Sequence, residues 1–417
     1  MEKVVTVGTA IKLHGKEEIK NTYKSLYELA SLVSTAQGVV IHSFLVKRDK
    51  IDPAYYIGKG KAEEIGNFVE KFNIRTVVFD NELTPAQIRN LEKIINAKIV
   101  DRTRLILDIF AQRAHTKEAQ LQVELAQLQY MLPRLTQKGI HMDNQVGGIG
   151  TRGPGETKLE YDRRKIMLRI EKIKEELEKV TKARTEQKKL RIESNIPLVA
   201  IIGYTNSGKS TLFNTLLKSS QAYADDKLFA TLDPLIRKLQ LPKGTEVLII
   251  DTVGFINKLP HHLIESFRST LEIVKDATLL LEVVDLTSED YQQREVLVQE
   301  ILQQIGITDI PIVKVYNKID LLPEKIKRMY LNNSQQKIVI SAKTGFGIDF
   351  LLRKIETILS KFYVLKTVKI KHDDYNTLGL IYKHCKIISN SVKDGIFVLK
   401  IRTTKTFYSK LLQLIRK

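Results

Sequence analysis

Cysteine is nearly absent: the 417-residue chain carries one, Cys385. A single thiol makes no internal disulfide and no cysteine-built metal site, which excludes a stapled secreted scaffold and a thiolate zinc centre. Long apolar runs are missing as well. Nowhere does the sequence approach the ~18 uninterrupted apolar residues of a spanning helix. The segment Met1 to Ala10 lacks the apolar stretch of a secretory leader. A cytoplasmic chain with no membrane insertion is expected. Acidic residues are also scarce, 48 Asp and Glu against 67 Lys and Arg, for a net charge of +19. That excess favours a polyanionic partner, nucleic acid or an anionic membrane face, over a small neutral substrate. A merely well-solvated basic protein would carry the same charge. The 43% hydrophobic and 28% charged fractions are ordinary, which excludes wholesale disorder. At roughly 150 residues per domain the length suggests about two to four domains.

The first hundred residues alternate short apolar runs with helical patterns. Val39–Val46, Thr76–Phe79 and Lys98–Val100 read as strands, with amphipathic helices over Lys61–Phe72 and Pro85–Ile95, the second capped by Thr84. Strands separated by helices of this length indicate βαβ units on a small parallel sheet. Leu121, Leu125, Leu128, Leu132 and Leu135 then form one stripe of a long helix, near whose end Pro133 should act as a kink or stop. Ile166, Ile170, Ile173, Leu177 and Val180 form a second stripe, and the two together predict an antiparallel helical hairpin. The loop between them, 136–156, holds six glycines: Gly139, Gly147, Gly148, Gly150, Gly153 and Gly155. Glycine permits close backbone approach, and Lys138 and Arg152 add positive charge, so this tip reads as a probe of an anionic or crowded surface or else as a floppy turn. Lys182–Arg191 reads as a linker.

A β/α alternation follows from Pro197 to about Phe362. The last segment, Tyr363–Lys417, carries twelve Lys and Arg against three Asp and shows β-branched runs around a helix. The expected architecture is therefore α/β. An N-terminal α/β module (1–104) precedes a helical hairpin with tip loop and linker (105–195). A phosphate-loop domain (196–362) and a small basic α+β domain (363–417) complete it.

The chemistry is concentrated in the third part. Gly203-Tyr204-Thr205-Asn206-Ser207-Gly208-Lys209-Ser210 fits the P-loop pattern between an apolar strand and a helix. Its glycines let backbone N–H groups wrap phosphates at a helix N-terminus. Lys209 should reach the β- and γ-phosphates and the Ser210 hydroxyl should ligate Mg²⁺. Asp251-Thr252-Val253-Gly254 ends a second strand, placing a carboxylate in the Mg²⁺ shell, through water, and a glycine N–H near the γ-phosphate. Asn317-Lys318-Ile319-Asp320 decides the base. The Asp320 carboxylate can accept from both N1–H and the 2-amino group of guanine, a donor pair adenine lacks. The Lys318 stem can lie along the base, and Asn317 can tie this loop to the P-loop. Ser341-Ala342-Lys343 places a backbone N–H near the guanine O6. Four such motifs in this order indicate a guanine-nucleotide domain for GTP and GDP.

A switch threonine should complete the metal shell between Ser210 and Asp251. Thr215 is spent on a helix and Thr245 lies in a turn beside Gly244. Thr231, in Phe229-Ala230-Thr231-Leu232-Asp233-Pro234, is the remaining choice, although it also fits an ordinary turn before Pro234. Lys209, Thr231 and Gly254 are the expected catalytic set. Where Ras-like enzymes place a water-orienting glutamine after Asp-x-x-Gly, this chain has Phe255, which cannot polarise water. Slow intrinsic hydrolysis, stimulated by a partner, is expected.

With these residues in view, the chain resembles the HflX-type GTPases along nearly its whole length. The likeness rests on the P-loop, on Phe-Ala-Thr-Leu-Asp-Pro at 229–234 and on Asp-Thr-Val-Gly-Phe at 251–255. Upstream it rests on Tyr56-Ile57-Gly58-Lys59-Gly60-Lys61, on Leu107–Ala114 and, most specifically, on Gly147-Gly148-Ile149-Gly150-Thr151-Arg152-Gly153-Pro154-Gly155-Glu156. The resemblance implies Mg²⁺-dependent GTP hydrolysis stimulated by the ribosome. It also implies binding to the large ribosomal subunit and its rRNA, a role in splitting or rescuing stalled ribosomes, and a glycine-rich loop reaching toward the peptidyl-transferase region. Gly147, Gly148, Gly150, Arg152, Gly153 and Gly155 are the implied contacts. A monomer is expected. A GTP-dependent large-subunit assembly factor is the alternative reading, and a membrane or protein signalling switch a third, against which stand the missing lipidation motif and the missing basic amphipathic helix.

Overall fold

The structure is a computed structural model. It describes residues 1–12, 15–135, 154–193, 196–218, 228–258, 273–332, 337–393 and 395–415. The tip loop therefore lies outside the described residues up to Gly153, so the expected contacts Gly147, Gly148, Gly150, Arg152 and Gly153 receive no structural account. Two compact units are present. One comprises Met1–Lys179, Ala224–Asp233 and Val253–Thr270; the other comprises Val180–Tyr223, Pro234–Thr252 and Leu271–Lys417.

In the first unit the chain alternates β1 (Glu2–Ile11), α1 (Gly15–Thr35), β2 (Gly38–Arg48), α2 (Lys59–Lys71), β3 (Thr76–Phe79), α3 (Pro85–Ile95), β4 (Lys98–Asp101) and α4 (Arg102–Arg113). The four strands pair in parallel in the order β2-β1-β3-β4. The β1 and α1 elements were not read from the sequence; β1 occupies the centre of the sheet and is buried along most of its length. Local chemistry fixes α3. Thr84 Oγ1 accepts from Gln87 N at 3.3 Å, Gln87 Oε1 accepts from Thr84 N at 3.0 Å, and Pro85 opens the first turn. Asn96, at φ 53°, closes it in the left-handed region. The core between sheet, α2 and α3 holds fully buried Val77, Ile65, Ile57 and Leu91. Each such side chain contributes about 1.5–3 kcal/mol of hydrophobic stabilisation.

The two leucine and isoleucine stripes fall on α5 (Lys117–Leu135) and α6 (Pro154–Glu193). Leu121 and Leu125 pack with Ile170 and Ile173, flanked by Leu128, Leu132, Ile166 and Leu177, so the hairpin interface is the predicted one. Arg169 donates to both Glu124 oxygens at 2.7 Å across it. Pro133 lies inside α5, two residues before its end. One expectation fails here. Lys182–Arg191 is no linker but the last turns of α6, because Lys, Ala, Arg, Glu, Gln and Leu are strong helix formers and no glycine or proline interrupts them. Pro154 and Gly155 likewise belong to the first turn of α6, as proline at a helix start allows.

The second unit contains β5 (Leu198–Gly203), α7 (Lys209–Leu217), β6 (Leu235–Gln240), β7 (Glu246–Asp251), β8 (Leu279–Asp285), α8 (Tyr291–Gln304), β9 (Ile312–Asn317), α9 (Glu324–Asn332), β10 (Ile338–Val339) and α10 (Ile348–Ser360). The sheet order is β10-β9-β8-β5-β7-β6, parallel except for the antiparallel edge strand β6. Central β5 is buried at every position, as a strand covered on both faces must be. The chain ends with β11 (Tyr363–Lys371), α11 (Tyr375–His384), β12 (Lys386–Lys393), β13 (Ile396–Thr404) and α12 (Lys405–Ile415), a three-stranded antiparallel sheet ordered β11-β13-β12 with two helices. The α/β class and the α+β tail are those the sequence predicts.

Candidate nucleotide-binding site

The C-terminal ends of β5 and β9 and the loop after β10 place three short loops along one edge of the second unit's sheet, next to the end of β7, where open α/β sheets bind ligands. The P-loop leaves β5 at Gly203, whose φ of 145° and position under Val283 require glycine: an added Cβ would sit 2.4 Å from the Val283 carbonyl oxygen. Gly208 caps α7 at φ 93°, and a Cβ there would lie 2.3 Å from Asn317 Nδ2. Between them Asn206 also takes a positive φ of 58°. This strained backbone is what turns successive N–H groups toward one point.

Inside the loop Lys209 is 6% exposed, and its Nζ donates to Tyr204 O at 2.7 Å. Burial pulls its ammonium down to about 8, against the opposing pull of Asp251. Among the described residues the buried Thr205 and Ser207 hydroxyls have no hydrogen-bond partner, which suits them to a ligand. Ser210 Oγ donates to Asp251 Oδ2 at 2.7 Å, and Asp251 is fully buried at the end of β7. Thr252 is held beside it by a 2.6 Å bond from its hydroxyl to Ile201 O. A hydroxyl and a carboxylate at the mouth of a phosphate loop make an all-oxygen donor pair, which fits Mg²⁺, a hard cation that binds through few carboxylates and keeps waters and phosphates for its other positions.

Asn317 joins the loops. It is 2% exposed; its Nδ2 donates to Ser207 O and its Oδ1 accepts from Ala342 N, both at 2.9 Å. The P-loop, the Asn317–Asp320 loop and the Ser341–Lys343 loop thus share one side chain. Lys318, at φ 66°, donates from Nζ to Asp285 Oδ2 at 2.8 Å, which holds its stem extended. Asp320 is half-buried in a 3-10 turn over Ile319–Leu321. Ser341 is fully buried and its Oγ accepts from Thr344 N at 3.1 Å, while Lys343 is exposed. Thr215, set aside as a switch residue, donates to Thr211 O and Ala342 O. Thr245 is likewise committed, bonding Glu356 at 3.2 Å.

Three neighbours escaped the sequence reading. Asp285 anchors Lys318, and the Arg294 guanidinium lies 4.6 Å over the Tyr204 ring. Glu282 is 1% exposed on β8, neither of its oxygens has a hydrogen-bond partner among the described residues, and burial pushes its carboxyl up to about 7. No local motif marks them, because sheet order alone brings β8 beside β5 and β9.

The remaining predicted residues belong to the first unit. Thr231 is 9% exposed; Leu232, Val253, Gly254 and Phe255 are buried, and Ala230 is half-buried. Phe229, at φ 55°, meets Phe110 edge-on at 4.6 Å, and Asp233 accepts from His115 N at 3.0 Å and Thr116 N at 3.1 Å. Leu228 N donates to Thr35 Oγ1 at 3.1 Å. On the other segment Asn257 O accepts from Arg102 at 3.1 Å and Lys258 pairs with Asp80. Arg102 and Asp80 are themselves buried and bonded at 2.8 Å, with Glu28 on the same guanidinium. Both segments that flank the expected γ-phosphate sensors are therefore pinned by side chains of the N-terminal unit.

Four family models match in succession. They are a GTP-binding GTPase N-terminal region over residues 23–111, a GTP-binding GTPase middle region over 113–191, a 50S ribosome-binding GTPase over 198–318 and an HflX C-terminal domain over 327–413. The GTPase HflX of Caldanaerobacter subterraneus subsp. tengcongensis is 48% identical over 91% of this chain and 88% of its own length. The GTPase HflX of Escherichia coli is 43% identical over 91% and 89% respectively. A crystal structure of a GTP-binding protein from Sulfolobus solfataricus in complex with GDP covers 87% of this chain and 99% of its own, at 24% identity and a TM-score of 0.43. Among the described residues no helix is long and apolar enough to cross a membrane.

Proposed function

The chain belongs to the HflX family of GTPases, and we propose that its guanine-nucleotide state controls its binding to the large ribosomal subunit, where it splits or rescues stalled ribosomes. The observation that carries the nucleotide part is Asn317, whose two 2.9 Å bonds lock the phosphate loop to both guanine loops. The ribosomal part is supported by the match over 198–318 to the 50S ribosome-binding GTPase model and by the net charge of +19.

In this reading Gly203 to Ser210 cradle the phosphates with backbone N–H groups at the N-terminus of α7. Lys209 exchanges its bond to the Tyr204 carbonyl for the β- and γ-phosphate oxygens, whose charge further favours its ammonium form. Ser210 and Asp251 would hold Mg²⁺, with Thr231 as the proposed further ligand. When bound, that ion offsets the charge on the phosphate oxygens. Gly254 N–H senses the γ-phosphate. Asp320 accepts from the guanine edge while Lys318, held by Asp285, lines the base, and a backbone N–H of the Ser341–Lys343 loop lies toward O6. Phe255 is 2% exposed and offers no group to orient water, so turnover waits on a partner. The glycine-rich tip, from Gly147 to Gly155 with Arg152, is the proposed rRNA contact.

Whole ribosomes incubated with the protein and GTP should sediment as separated subunits. If ribosomes stay whole and the protein travels only with immature large-subunit particles, the assembly-factor reading replaces this one.

A further inference from the structure

The C-terminal sheet presents a face that the nucleotide chemistry does not use. Helices α11 and α12 cover its other side, where Ile381, Leu399, Ile401 and Leu411 are fully buried. In the antiparallel register Val368 lies opposite Leu399 and Ile370 opposite Phe397, all toward the helices. By strand alternation the pairs Leu365–Arg402, Thr367–Lys400 and Lys369–Val398 point the opposite way. Lys386, opposite Arg402, and Ser389, opposite Lys400, extend that face onto β12. Lys369, Lys371, Lys386 and Lys400 are exposed and Arg402 is half-buried. The three strands carry seven Lys and Arg and no Asp or Glu. Among the described residues, no carboxylate forms a salt bridge with Lys369, Lys371 or Lys400.

Like charges held side by side on a rigid sheet destabilise it, and an external polyanion offsets that repulsion. Same-face positions recur about 6.8 Å apart along a strand and about 4.8 Å across strands, so the cations form a grid rather than a point site. Hydroxyls of Thr367 and Ser389 lie between them, and lysine with hydroxyl donors is the usual phosphate-contacting set. One ring, that of Tyr363 under Arg402 at 4.9 Å, accompanies them, too little to stack a run of bases. An anionic membrane is the poorer fit: surface-bound membrane elements pair their cations with an insertable apolar helix face, which this sheet lacks.

We propose that the open face of the β11-β13-β12 sheet binds the phosphodiester backbone of RNA, without sequence preference and independently of the bound nucleotide. The choice of RNA rests on the ribosomal reading above.

The test is titration of a fluorescent, unstructured single-stranded RNA oligonucleotide with the full-length GDP-bound protein across salt concentrations. A triple variant, Lys369→Gln with Lys371→Gln and Lys400→Gln, removes three cations and touches no residue of the GTP site. Each phosphate contact to a single strand contributes about 0.7 to the slope of log K against log salt, so the slope should fall by about 2 and the affinity by about a hundredfold at ~0.1 M salt. The matching triple arginine variant should retain wild-type binding, and an unchanged circular-dichroism spectrum and melting curve would show that the glutamine variant is folded. A wild-type slope in the glutamine variant overturns the proposal, whatever the ribosome does. Binding lost instead from vesicles of equal parts phosphatidylserine and phosphatidylcholine, with RNA binding intact, overturns it in favour of a membrane. Failure of the protein to bind subunits with any nucleotide would sink the ribosomal reading while leaving the salt-slope result standing.

Discussion

Asn317→Ala is the substitution whose consequences the site geometry defines best. The side chain is 2% exposed, donates to Ser207 O and accepts from Ala342 N, both at 2.9 Å. Alanine leaves one buried acceptor and one buried donor without partners, each costing about 1–3 kcal/mol, so the loss sums to about 2–6 kcal/mol. It also removes the Nδ2 atom that packs over Gly208, opening a gap beside the phosphate loop. The three loops then have no common member, and the cost should appear mainly as lost nucleotide affinity, since the bound state needs all three aligned. At 1.4 kcal/mol per factor of ten, even the low end weakens GDP binding about thirtyfold. Fluorescent-GDP titration, with circular dichroism to verify folding, measures it. A folded Asn317→Ala protein binding GDP within threefold of wild type would refute the reasoning, because the buried partners would then have found other bonds at no cost.

Three further outcomes follow from the geometry. Asp320→Asn should relax base choice toward xanthine nucleotides, read by competition of xanthosine against guanosine diphosphate; unchanged guanine preference contradicts the role given to Asp320. Glu282 binds its proton more tightly folded, at about 7, than unfolded, at 4.5. Its contribution to stability is therefore full below pH 4.5 and lost as pH rises through 7, by up to about 3 kcal/mol. Glu282→Gln should raise the melting temperature at pH 8 and leave it nearly unchanged at pH 5, and equal shifts at both would rule the group out. Arg102→Ala removes the guanidinium shared by Asp80 and Glu28 while Asp80 keeps Lys258 and Ser25, and should cost up to about 3 kcal/mol, seen as early thermal unfolding of the first unit; a wild-type melting curve would mean the cluster is hydrated.

The parts of the structure legible in the sequence are those where chemistry is local. The capping pair Thr84 and Gln87, the stripes of α5 and α6, and the P-loop glycines each answer to a few neighbouring residues, and backbone sterics or periodicity forces their type. What escaped depends on distant partners. Strand β1 is a nearly continuous buried run whose place at the sheet centre is set by β2 and β3 on either side. Lys182–Arg191 looked like a linker because it has no apolar stripe, yet helix propensity alone extends α6 through it. Asp285 and Arg294 act on Lys318 and Tyr204 only because β8 and α8 are brought there by the fold. The pinning of Phe229, Asp233 and Lys258 by Phe110, Thr116 and Asp80 spans more than a hundred residues in each case.

The central claim is that the nucleotide decides whether the protein holds the large subunit. Sedimentation of the full-length protein with purified large subunits, in a non-hydrolysable GTP analogue and separately in GDP, tests it most directly. At a salt concentration high enough to suppress the nucleotide-independent RNA contact, the protein should travel with the subunit in the analogue and remain at the top of the gradient in GDP. Equal partition in both, whether bound or free, would contradict the account.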